Sequence, residues 1–117
     1  MLRNLTRQTT IATHLEITEN SWDRMKGLLG RNDLPAGHGL MITHCRSIHM
    51  FFMKFPIDVI FCNDENKVVG LCPGIKPFAL SPVFFQSACA IELPVGTIHS
   101  SRTQVGDNLA ISTVDAK

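Results

Sequence analysis

The chain lacks tyrosine and has a single tryptophan, no CxxC pair, no apolar run of membrane-spanning length and almost no net charge. Eleven basic side chains against ten acidic ones leave a formal charge of +1. No summed field of that size gathers phosphates or anionic lipid, so neither a nucleic-acid nor a membrane partner is expected. The longest stretch without a charge is Pro77 to Ile91, broken by Ser81, Pro82, Gln86 and Ser87, whereas a spanning helix takes about 20 apolar residues. The opening MLRNLTRQTTIATHLEI is basic at its start but has no unbroken apolar core of the kind a secretory signal needs. A cytoplasmic protein is the expectation. Cys45, Cys62, Cys72 and Cys89 are separated by 17, 10 and 17 residues, a spacing that matches no zinc ribbon. Reduced thiols in apolar surroundings are expected instead, with no cofactor. GxSxG, GxxxxGK[ST] and GxGxxG are all missing, which excludes the common serine-nucleophile and phosphate-loop chemistries.

What is present is enough for a core. A chain of 117 residues, 44% of them hydrophobic, reads as one domain spanning 1–117 that buries roughly two-thirds of its unfolded surface. Thr9 to Ile17 alternates, with Ile11, Thr13, Leu15 and Ile17 on one side, which is the period of a half-buried strand. Thr18 can cap a helix over about 19–29, whose Trp22, Met25, Leu28 and Leu29 form one stripe ending at Gly30. A turning loop follows, then an extended Leu40 to Thr43. Further strands are expected at about His49–Met53, Ile57–Cys62, Lys67–Cys72, Ala88–Leu93 and Asn108–Val114, and a helical turn fits between Gly96 and Arg102. Asn63-Asp64-Glu65-Asn66 is a tight polar turn that makes the second and third of these strands a hairpin. The expected fold is mainly β (α+β by strict count): a compact antiparallel β-sandwich or small barrel with the one amphipathic helix packed on it.

The polar residues that interrupt apolar text are the candidates for function. ITHCRSIHMFFMKFPIDVIF carries the densest cluster. Asp58 faces away from Ile57, Val59 and Phe61, and an apolar-flanked carboxylate needs a cation or N–H donors. Glu92, between Ile91 and Leu93, is a second such acid; it either pairs with a basic group or lies on a wet sheet face. Arg46, His49, Asp58 and Glu92 on one concave wall would make a ligand site for a small polar molecule or a peptide. Two alternatives stand beside it. His49 with Asp58 forms an oriented imidazole able to move a proton near neutral pH, with His44 or Cys45 assisting as ligand or nucleophile. Cys45, His49 and Met53, four apart, would stack soft metal ligands on a helix, but on a strand they spread over about 26 Å. A third reading makes Pro77–Phe85 a protein docking surface, although Val83, Phe84 and Phe85 together suit a core. A non-enzymatic, monomeric binding or accessory module is the leading expectation.

DRMKGLLGR, GLMI, FFMKFPIDVIF and IELPVG followed by VGD, in that order, resemble domain-of-unknown-function family 192, whose members read ERxxGLMxR, GMLF, FxMRFPIDVVF or WMKNTxIPLDIIF, and LELPAG followed by xxGD. The likeness runs from about Glu16 to Ile111. Phe52 stands where the commoner form has tryptophan. The resemblance implies a compact, mostly β domain, no established activity and no functional residues to transfer.

Overall fold

The computed structural model describes residues 1–19, 34–50 and 53–112. Among them, strands β1 (Leu2–Asn4), β2 (Thr9–Ala12), β3 (His14–Thr18), β4 (His38–Thr43), β5 (Ile57–Cys62), β6 (Val68–Ile75), β7 (Cys89–Leu93) and β8 (Leu109–Ile111) join one short helix, α1 (Thr97–Ser101). They form two sheets, β2-β1-β8 and β3-β4-β7-β5-β6, and no closed barrel. All pairings are antiparallel except β3 with β4. That parallel pair was not anticipated from the sequence; strands so paired cannot be joined by a tight hairpin turn. The proposed helix over 19–29 falls almost wholly outside the described residues.

β5 matches its expected bounds, and its six residues are all buried because it lies between β7 and β6 with both faces covered. Strand alternation then sorts its side chains between two cores. Ile60 and Cys62 join Leu2, Ile11, Leu15, Ile91, Leu93, Ile98 and Leu109 between the two sheets. Ile57, Val59 and Phe61 face the other way, toward Ile42, Ile48, Met50, Met53 and Phe55.

Irregular chain covers this second core. Residues 46–50 run beside 78–84, bonded from the Phe84 N–H to the Arg46 carbonyl (2.8 Å), from Ser81 to Ile48 (2.9 Å), and from Met50 to Ala79 (2.8 Å). The expected strand His49–Met53 is therefore corrected: in the described part His49 makes one isolated bridge, with Leu80. Its backbone groups bond to this neighbouring loop rather than to the sheet. The expected strand Thr9–Ile17 is divided at Thr13, where the Thr13 and His14 N–H groups both reach the Gly37 carbonyl (2.9 and 3.0 Å). The break lets β2 serve one sheet and β3 the other.

Candidate functional site

Asp58 is 1% exposed and points toward the inter-sheet core. Its Oδ1 accepts the Gly74 N–H (2.8 Å), while Oδ2 accepts those of Gly96 (3.1 Å) and Ile98 (2.9 Å). Gly96 and Ile98 open α1, whose own N-cap offers no side-chain hydrogen bond. β5 thus lends the helix a cap from a distance, and three N–H donors stabilise the buried charge. The cation or imidazole partner considered for Asp58 is not what holds it.

Glu92 is fully buried and engaged, which overturns its placement on a wet face. In register, Asp58 faces Leu93 and Val59 faces Glu92. Directly opposed residues share a face and neighbours alternate, so the two carboxylates emerge on opposite sides of the sheet. One wall carrying Arg46, His49, Asp58 and Glu92 together is not formed. The His49–Asp58 pair is not assembled either, because His49 belongs to the layer over the second core while Asp58 faces the first. Of the soft-donor set, Met53 is buried among Phe55, Ile57 and their neighbours, and the half-buried Cys45 thiol donates to the Ser47 carbonyl (3.1 Å). No group of three or more His, Cys, Asp or Glu able to hold a metal occurs among the described residues.

What the structure does bring together lies just beyond β4. Glu19, Thr43, His44, Cys45, Ser47 and His49, between Ile42 and Ile48, line a cavity of about 170 Å³. His44 adopts a left-handed backbone (φ 54°), where its N–H donates to the Ala88 carbonyl (2.7 Å). This bend turns the chain out of the sheet and opens the space. Thr43 Oγ1 is buried without a hydrogen-bond partner among the described residues. Arg46 is exposed on the same segment as His49. Sequence reasoning located this cluster in ITHCRSIH but passed over Glu19, Thr43 and Ser47, since nothing in the text reveals the bend at His44.

A second polar cluster is architectural. Arg7 Nε and Nη2 donate to Asp107 Oδ2 (3.0 Å) and Oδ1 (3.2 Å), and Asn4 Nδ2 and the Gln104 N–H donate to Oδ2 (both 2.9 Å). Desolvation alone would raise the Asp107 pKa, but the hydrogen bonds from Arg7, Asn4 and Gln104 outweigh it and hold the carboxyl below its ordinary 3.8. The aspartate of VGD therefore ties the N-terminal strand to the C-terminal loop. Cys62 and Cys89, cross-strand partners, are buried and unoxidised; a hydrogen bond to Cys89, with burial second, pushes the Cys62 thiol far above its usual range.

These features define a two-sheet β domain in which Asp58 and Asp107 brace backbone from other elements and a mixed polar cavity lies at the end of a strand. The chain belongs to DUF192, described as Uncharacterized ACR, which matches residues 3–111. A UPF0127 protein of Thermococcus sibiricus is 32% identical over 113 residues, covering 93% of this chain and 73% of the relative. A protein of unknown function from Novosphingobium aromaticivorans, known by crystal structure, superposes with a TM-score of 0.72 at 19% identity, over 83% of this chain and 74% of that one. A crystal structure from Sinorhizobium meliloti, of a protein described as a candidate transcription regulator, gives 0.67 at 22% identity, over 82% and 79%. At such identities these two likenesses concern the fold.

Proposed function

We propose that this protein is a non-enzymatic binding module that takes a small polar molecule, or the end of a peptide, in the cavity beyond β4. The observation that carries the reading is the convergence there of His44, His49, Ser47, Thr43 and Glu19 around about 170 Å³, a set of hydrogen-bond donors and acceptors beside the apolar walls of Ile42 and Ile48. Such a space suits orientation of a small ligand by a few polar groups. Arg46 stands near enough in the chain to attract an anionic group, whereas Asp58 and Glu92, committed to the interior, drop out of the ligand set. Catalysis by His49 with Asp58 has no support in this arrangement.

The test is a titration of the labelled protein with free amino acids, short-chain carboxylates and sugars, followed by amide and imidazole NMR shifts. A saturable ligand that moves His44, His49 and Ser47, and that binds about tenfold or more weakly to His49→Ala, is expected. Binding that maps elsewhere, or that His49→Ala and Ser47→Ala leave untouched, overturns the proposal.

A further inference from the structure

The layer over the second core displays apolar side chains to solvent. Phe78 is 69% exposed, Leu80 67%, Val83 51% and Phe85 77%, on a single loop between β6 and β7. Their exposure is held in place by backbone. Phe78 adopts a left-handed conformation (φ 67°) that bulky residues avoid. Its N–H is bonded to the Met50 carbonyl (2.8 Å), and the next N–H, of Ala79, to Lys76 (3.1 Å). The inward positions are already filled: Phe84 packs on Phe61 with ring centroids 4.6 Å apart. The loop thus turns Phe84 to the core and leaves Phe78, Leu80, Val83 and Phe85 exposed.

The two described segments that build this layer carry charges of one sign. From Lys67 to Ile91, and again from Gly39 to Ile57, the sequence contains no Asp or Glu. Arg46, Lys54 and Lys76 in these segments are all exposed. Glu19 lines the cavity it shares with His49. A total charge near zero conceals this asymmetry, because several acids are spent in the interior, among them Asp58, Glu92 and Asp107.

We infer that the loop Lys76–Phe85 is a docking face for an anionic lipid bilayer, with Phe78, Leu80 and Phe85 entering the interfacial region and Arg46, Lys54 and Lys76 lying against the headgroups. Projecting aromatic and aliphatic side chains with a cationic rim are the combination that binds reversibly to such surfaces. A second copy of the chain fits less well, because two like-charged rims would oppose each other.

The experiment is co-sedimentation of the intact protein with vesicles containing phosphatidylglycerol, against vesicles of phosphatidylcholine alone, at low and high salt. Binding to the anionic vesicles, weakened by salt, is expected. Leu80→Ser with Phe85→Ser, and separately Lys76→Glu with Arg46→Glu, each reduce it by about tenfold or more, while hydrogen-exchange protection of β5 and β7 stays unchanged and shows that the fold survives. Equal or absent binding to both vesicle types overturns the inference. So does retained binding in both double variants. Concentration-dependent self-association that Leu80→Ser with Phe85→Ser abolishes, without vesicle binding, also overturns it and assigns the face to a second copy.

Discussion

Single carboxylates in this protein act through the backbone they hold. Asp58 receives three N–H groups, one from the end of β6 and two from the start of α1, so removing it leaves the buried Ile98 N–H and two partly buried donors without their acceptor. Asp58→Ala is expected to cost about 2–4 kcal/mol in denaturant unfolding and to raise amide exchange at Ile98; an unchanged midpoint would refute the capping role. Asp107 carries a pH dependence. Its folded pKa lies below 3.8, so its contribution is fully present above the unfolded value and is lost as pH falls through the lower, folded one. Wild type should therefore lose stability below about pH 4 more steeply than Asp107→Asn does, as thermal melts across that range would reveal. The thiols divide by position: Cys45 and Cys72 are half-buried, Cys62 and Cys89 buried. Native-state alkylation followed by mass measurement should add up to two groups, at Cys45 and more slowly at Cys72, whose thiol burial pushes up.

Elements were legible in the sequence wherever both their faces had an obvious destination. Ile57–Cys62, the Asn63–Asn66 turn and the strand ending at Leu93 could be read directly, since an apolar run between turn residues has few alternatives. His49–Met53 was misread in its described part because Met50 and Met53 cover a core rather than lying within a sheet. Propensity cannot distinguish those two uses of Met. The loop that completes the layer packs against an element chosen for it: an added Cβ at Gly70 would lie 2.3 Å from Phe84 Cε1. Gly70→Ala is expected to displace that ring from Phe61 at a cost of about 1–3 kcal/mol; a Phe84 ring whose NMR shifts do not move would contradict it.

At the scale of the molecule, the first and last described strands pair in the smaller sheet. β1 lies between β2 and β8, the terminal ammonium donates to the Ser112 carbonyl, and Leu2 is fully buried in the inter-sheet core. Leu2→Ala should therefore cost about 2–5 kcal/mol and destabilise the whole molecule rather than fray its terminus, which hydrogen exchange at β5 and β7 would register. Three-residue strands such as LRN carry no periodicity of their own, so this pairing could not be seen in advance. Composition and alternation by themselves determined a single β-rich domain, its central hairpin and the side of the strand to which Asp58 turns, because these depend on neighbours in the chain. Which groups meet was decided by tertiary structure alone. Register placed Asp58 and Glu92 on opposite faces, and a bend at His44 assembled the cavity, because proximity across strands depends on backbone pairing between segments far apart in sequence.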